Sequence, residues 1–476
     1  MDKVNTTTAP LSALEHLQQR FCLLNLSGEI RIVDKDQVTQ ILAGVKSGDI
    51  SFFKKSDGEV LMRRVLENLP VHCEPKTTIA NFWINPKTHV YTEIAFSPRV
   101  TPASTLNYWS GPTTLGQQGD WSFIKEFLLN VICGRNLDIF NYLIFYLAHM
   151  LQKPAEKPGV MLVMLGSQGT GKGTVFALLR KIWSRTALQV SDVDAVIGRF
   201  NAALERNFVI CMDEALFSGD KKSLERLKSL ITEPVCQIEQ KYQPSRSIES
   251  VHRFFAASNN DHFAHVDRDD RRFLFLRVSS ERQGQSEYFK KLHQQIEDSG
   301  TVRAMVYDLM NLNLNEFNIR VRPKTKEHLK QKLQSLAGFE RYWFEVLTVG
   351  SLDVVSCPSY AVWTEPRFVK TVDLLDHFKR FDRNADRYNA VQSQQVAASL
   401  AKLCPSAISD RIKTNNTGQV RGYQLPSLEV ARREFDFVIG GKVDWGVAEA
   451  QEMGQADWEM QALWETYYLD DEINVT

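Results

Sequence analysis

The residues best placed to do chemistry are Gly166-Ser167-Gln168-Gly169-Thr170-Gly171-Lys172-Gly173-Thr174, which fit the pattern G-x-x-x-x-G-K. An apolar run, Val160–Leu165, precedes them and a helical stretch, Val175–Trp183, follows. Glycines at that spacing let the backbone curl so that its N–H groups face a phosphate. The helix start adds positive field, and a lysine there reaches the β- and γ-phosphates. The expected ligand is ATP with Mg²⁺, cradled by Gly166, Gln168, Gly169, Thr170, Gly171, Lys172, Gly173 and Thr174. Gly173 stands where Ser or Thr usually contacts Mg²⁺, so Thr174 is left to supply a hydroxyl or only its N–H. The competing reading is a chance glycine-rich turn; the strand before it and the helix after it favour nucleotide binding.

Four further groups extend that chemistry. Asp213-Glu214 ends the apolar run Asn207–Met212. Asp213 is expected to hold Mg²⁺ and Glu214 to orient and deprotonate an attacking water; a solvated acidic pair is the bland alternative. Asn259, preferred over Asn260, ends the run Arg253–Ala257 and can position that water; an ordinary turn asparagine is its alternative. The cluster Asp267-Arg268-Asp269-Asp270-Arg271-Arg272 offers Arg271 or Arg272 to a neighbouring subunit's γ-phosphate, although such runs are usually surface charge. Between the second and third apolar runs, Glu239–Arg246 carries Lys241, Tyr242 and Arg246, which could follow a DNA backbone or simply sit on a solvated hairpin.

The elements that position these groups are apolar runs alternating with helices. Such a pattern predicts an α/β fold with a mostly parallel sheet between helices, and the polar clusters fall at the carboxyl ends of its strands, where such sheets bind ligands. Five regions follow: an N-terminal α+β region (1–105), a linker and helical collar (106–158) with Trp121–Leu151 helical, the phosphate-loop domain (159–335), a mixed domain (336–445) and an acidic tail (446–476). In the fourth, helices over Thr371–Phe381 and Ser393–Leu403 and a hairpin over Arg411–Leu425 permit a winged-helix-like DNA-binding domain.

Bulk properties set the limits. The 476 residues carry 57 Lys+Arg against 57 Asp+Glu, so a nucleic-acid partner must be held by local patches. Seven scattered cysteines without a C-x-x-C pair argue against a disulfide scaffold or zinc site and for a reducing compartment. The start shows no secretory pattern, and the longest apolar stretch, Phe140–Leu151, is too short to span a bilayer. A soluble cytoplasmic protein without a membrane partner is expected.

Taken together, GSQGTGKGT (166–174), RFN (199–201), VICMDEA (209–215), LKSLITEP (227–234), QKY (240–242), ASNN (257–260) and DDRRF (269–273) resemble the superfamily 3 helicases, a branch of the AAA+ ATPases. The flanks FWINPKTHVY (82–91), LNYWSG (106–111), RVRPKTKEHL (320–329) and RGYQLPSLEVARREF (421–435) look closest to phage and prophage primase-helicases, so the resemblance spans roughly 80–440. It implies a P-loop AAA+ core in a homo-hexameric ring that hydrolyses ATP while moving along single-stranded or forked DNA in the host cytoplasm. It further implies Lys172 and Asp213 on Mg-ATP, Glu214 on water, Asn259 as sensor, Arg271 or Arg272 as finger and Lys241 on the DNA hairpin. Residues 1–105 show no acidic metal site for a primase, so a primase would be a separate partner. An origin-binding remodeller that grips DNA without unwinding it would use the same ATPase. A P-loop kinase is disfavoured by chain length and by groups suited to water attack.

Overall fold

A computed structural model of the chain describes residues 11–445, except 27, 44, 46–49, 216, 218–220, 241–244, 356–362, 383–392 and 415–417. The described residues up to Ser335 form one compact unit and those from Leu336 a second.

The first unit is built on a five-stranded sheet: β1 (Met161–Leu165), β2 (Ala187–Val190), β3 (Val209–Met212), β4 (Arg253–Ser258) and β5 (Phe273–Arg277), numbered within that sheet. The strands lie in the order β5-β1-β4-β3-β2 and every pairing is parallel. Four of them were legible as continuous apolar runs because both faces are covered. Met161, Val163 and Leu165 enter one core with Ile210, Met212, Phe254 and Phe275. Leu162 and Met164 enter another with Cys211, Phe255 and Leu276. That alternation is the period of two expected of a strand. The fifth, β2, is a half-exposed edge strand, and its short, partly polar ALQV gives no such signal. The chain leaves β1 toward the β2 edge, but leaves β4 toward β5, on the far side of β1. Neighbouring strands whose connections part in this way open a crevice at their carboxyl ends.

The collar departs from the expected continuous helix. Ser122–Glu126 is α-helical, Phe127–Ile132 is a π-turn, and the helix then stops. Gly134 and Arg135 take φ of 57° and 64°, which no right-handed helix accommodates. Asn136 then caps a new helix, Leu137–Gln152, its side chain accepting from Ile139 N at 3.0 Å. Beyond that helix, the buried guanidinium of Arg253 donates to the carbonyls of Lys153, Pro154 and Glu156 in the following loop as well as Val251.

The N-terminal region contains a four-stranded sheet in the order Phe52–Phe53, Glu29–Asp34, Phe21–Leu26, Val90–Tyr91. One face packs a local core of Leu17, Phe21, Leu23, Ile32 and Phe82. From the other, Cys22, Leu24 and Val33 join the core that holds the collar and β1. Regions 1–105, 106–158 and 159–335 are therefore not three separate cores.

In the second unit, Arg367–Lys370 pairs with Gly418–Leu425, which pairs antiparallel with Ile408–Thr414. Helices Thr371–Phe381 and Ser393–Leu403 lie between the first strand and the hairpin in sequence, and Leu428–Ile439 follows. The fold is mixed α/β with a parallel sheet and helices. Among the described residues no helix is long and apolar enough to cross a membrane. The acidic tail lies outside the described residues.

Candidate functional site

The glycine-rich loop leaves β1 at the crevice. Gly166 N donates to Ser258 O of β4 at 3.2 Å, and Thr170 Oγ1 donates to Ser167 O at 2.9 Å, which closes the turn. Gly169 and Gly171 take φ of +76° and +100°. Gly171 is the N-cap of the helix Lys172–Ile182. It also lies so close to Phe289 and Phe127 that a Cβ there would sit 2.9 and 3.0 Å from their rings. Lys172 is buried, and its Nζ donates to Gly166 O (2.6 Å), Ser167 O (2.8 Å) and Asn259 Oδ1 (2.9 Å). Burial pushes the Lys172 amine below the usual lysine range, while Asp213 and Glu214 pull it back up. Thr174 N is committed to Gly171 O at 3.0 Å, which leaves its hydroxyl rather than its N–H for a ligand.

The carboxylates follow β3. Asp213 N donates to Val190 O at 2.8 Å, and Asp213 Oδ2 accepts from Gln189 Nε2 of β2 at 3.0 Å. Glu214 takes a left-handed φ of 54°, and its N–H donates to Asp213 Oδ1 at 3.2 Å. Ala215 N then returns to Ala257 O of β4 at 3.0 Å. The acid pair is thus set on a strained corner that turns Glu214 outward, where its side chain is exposed. After β4, it is Asn259 that meets Lys172, whereas Asn260 N bonds Ser258 Oγ at 3.2 Å. Lys172, Thr174, Asp213, Glu214 and Asn259 line one cleft of about 410 Å³ with Gln168, Gly169, Gly171, Gly173, Ala257, Phe289 and His293. A wider hollow of about 620 Å³, lined by His149, Lys157 and Arg320 among others, opens beside the strand starts and holds none of these groups.

The donor set suits a hard cation. Asp213, Glu214 and Thr174 offer oxygen only, and Mg²⁺ bound with phosphates needs one or two carboxylates beside water. Among the described residues no group of three or more His, Cys, Asp or Glu is placed to hold a metal ion.

Other expected residues lie apart. Arg271 is exposed and Arg272 half-buried at the start of β5, where Arg272 O accepts from Met161 N at 2.7 Å. They stand at the amino edge of the sheet, a strand length of roughly 16 Å from the cleft at about 3.3 Å per residue. Arg246, expected to touch DNA, is bound through both Nε and a terminal nitrogen to Glu205, which ties the strand pair Val235–Ile238 and Arg246–Glu249 to the turn Ala202–Arg206. Lys241 and Tyr242 fall outside the described residues. Sequence reasoning missed Gln189, Phe289 and His293, which carry no motif. Asn201 belongs to the RFN segment at 199–201 that carries part of the resemblance. That buried amide donates to Gln237 O and accepts from Glu239 N, both at 2.9 Å, and so braces the same hairpin.

Comparison with known proteins adds an independent line. Residues 164–272, from β1 to the arginines, match a family described as a family of unknown function, DUF5906. The chain is 24% identical over 236 residues to the DNA primase-polymerase of Nitratiruptor phage NrS-1, covering 46% of this chain and 32% of that protein. It thus spans about a third of that relative's length. Its fold is similar to the apo structure of the NrS-1 C-terminal region, with a TM-score of 0.61 at 15% identity over 88% of this chain and 99% of the other. A second apo form of that region gives 0.60 at 14% identity over 87% and 99%.

Proposed function

We propose that this chain is an ATP-hydrolysing DNA motor of phage replication, a helicase of the superfamily 3 AAA+ type. The observation that carries the reading is the single cleft in which Lys172, the Asp213–Glu214 corner and Asn259 converge at the parting of β1 and β4. Loop N–H groups and Lys172 bind and orient the phosphates. Glu214, exposed at the cleft, takes a proton from water, and Asn259 holds that water opposite the bond to be cut. Mg²⁺ supplies charge neutralisation on the phosphates, with Asp213 and the Thr174 hydroxyl as the groups that would hold it.

The position of Arg271 and Arg272 supports a ring. At the far edge of the sheet they cannot serve their own cleft but can reach one on an adjacent copy, as closed head-to-tail assembly allows. Six copies is the number the resemblance implies. Similarity to a phage replication protein supports DNA as the partner, with single-stranded or forked DNA as the track and a primase as a further partner. Purified protein with ATP and Mg²⁺ is expected to unwind a forked duplex and Lys172→Ala to abolish it. An active ATPase that neither responds to single-stranded DNA nor opens any fork would refute the helicase reading.

A second reading rests on the C-terminal unit. Two helices followed by a hairpin bearing Arg411, Lys413 and Arg421 suit a winged helix gripping duplex DNA, as an origin-binding remodeller would. Tighter binding to a cognate than to a random duplex, without unwinding, would select it.

A further inference from the structure

Among the described residues that line the cleft, most are used by phosphate and water chemistry. Gly169, Gly171, Lys172, Gly173 and Thr174 face the phosphates, while Asp213, Glu214 and Asn259 stand at the end where the terminal bond is cut. Ala257 is wholly buried beneath them. What remains is Gln168, Phe289 and His293. Phe289 and His293 are one helical turn apart on Ser286–Glu297 and so lie on the same face. That helix packs against Lys172–Ile182. Its Leu292 and Ile296 are buried, whereas Phe289 is half-exposed and His293 exposed. The Phe289 ring rests edge-on to Tyr288, with centroids 5.4 Å apart, and against the bare Cα side of Gly171. Phe289 also lines the cleft. Gln283 Nε2 holds Gln168 O at 2.9 Å on the same side.

We propose that Phe289 and His293 form the nucleobase end of the cleft: Phe289 stacks on a purine, and the His293 ring nitrogen hydrogen-bonds the edge of that base. The inference rests on the nucleoside-triphosphate reading and specifies its substrate class. With the terminal phosphate directed toward Glu214 and Asn259, the lining left for the nucleoside is the wall of Phe289 and His293, with Phe289 beside the helix start at Gly171. An aromatic face favours purines over pyrimidines through the larger stacked area. A hydrogen-bonding group beside it separates one purine from another.

The test compares binding of a nonhydrolysable ATP analogue with binding of inorganic tripolyphosphate, each by calorimetry in the full chain. Stacking on one aromatic ring accounts for roughly ten-fold or more in affinity. Phe289→Ala is therefore expected to weaken the ATP analogue by about that factor, while tripolyphosphate stays within about two-fold. Phe289→Trp should retain the analogue. His293→Ala should narrow the preference for the adenine analogue over its guanine and cytosine counterparts. Parallel loss of analogue and tripolyphosphate in Phe289→Ala, with Phe289→Leu behaving alike, would show that the ring only props up Gly171 and would overturn the proposal. Unchanged analogue affinity would also overturn it, leaving the ATPase reading intact. Failure of the wild-type chain to bind either probe would sink the ATPase reading itself, before any variant is made.

Discussion

Alanine at Gly169, Gly171 and Gly173 should give three different results, because the same methyl group meets a different constraint at each. At Gly171 it meets two. The φ of +100° is a conformation L-residues adopt at a cost of roughly 1–2 kcal/mol. The Cβ would also lie 2.9 Å from Phe289 and 3.0 Å from Phe127, so packed rings must move, for about 1–3 kcal/mol more. The sum is about 2–5 kcal/mol. At Gly169, with φ of +76° and nothing within 4 Å, only the backbone cost of roughly 1–2 kcal/mol applies. Gly173 has neither constraint and lies in the first turn of a helix, where alanine gains up to about 0.5–1 kcal/mol. Thermal melts should therefore rank Gly173→Ala at or above wild type, Gly169→Ala a few degrees below, and Gly171→Ala lowest by about 5 °C or more. On the proposed reading, calorimetry with an ATP analogue should follow the same order, since strain displaces the loop proposed to hold the phosphates. Gly171→Ala matching wild type in both assays, or Gly173→Ala proving the worst of the three, would refute the reasoning.

If the chain hydrolyses ATP as proposed, Asn259→Ala should keep most nucleotide affinity but lose hydrolysis by about 10² or more, measured as ATP turnover at saturation, because the proposed role of this amide is to orient water rather than to cradle phosphate. Glu205→Ala and Arg246→Met should each destabilise by roughly 3 kcal/mol and together by much less than the sum, since each alone strands a half-buried charge; additive losses in a double-mutant cycle would show the pair to be idle. Burial holds His252 and His328 at about 3, well below the ordinary value near 6.5. The unfolded chain then binds protons first, so stability is complete above about pH 6.5 and falls as pH drops toward 3, by at most about 1.4 kcal/mol per pH unit for each histidine. His252→Gln should reduce that slope between pH 6 and 4 by about one proton, and an unchanged slope in denaturant titrations would show that His252 does not contribute.

What the sequence by itself determined is local. The glycine-rich loop is legible because φ of +76° and +100° within one turn demands glycine and because an apolar run must precede it. The four apolar strands are legible because burial on both faces leaves little room for polar residues, and Asp213, Glu214 and Asn259 stand out because they interrupt such runs where the chain emerges. Tertiary structure decided everything that depends on which segments become neighbours. It brought the Asn259 amide 2.9 Å from Lys172 while Asn260 N met Ser258 Oγ, and placed Gln189 on Asp213 from an edge strand too exposed to show a pattern. It added Phe289 and His293 from a helix more than a hundred residues beyond the loop, set Arg271 and Arg272 a strand length away, and paired Arg246 with Glu205. The physical reason is the same throughout: backbone conformation and two-sided burial constrain residues one at a time, whereas a side chain's partner is fixed only when distant stretches of chain pack together.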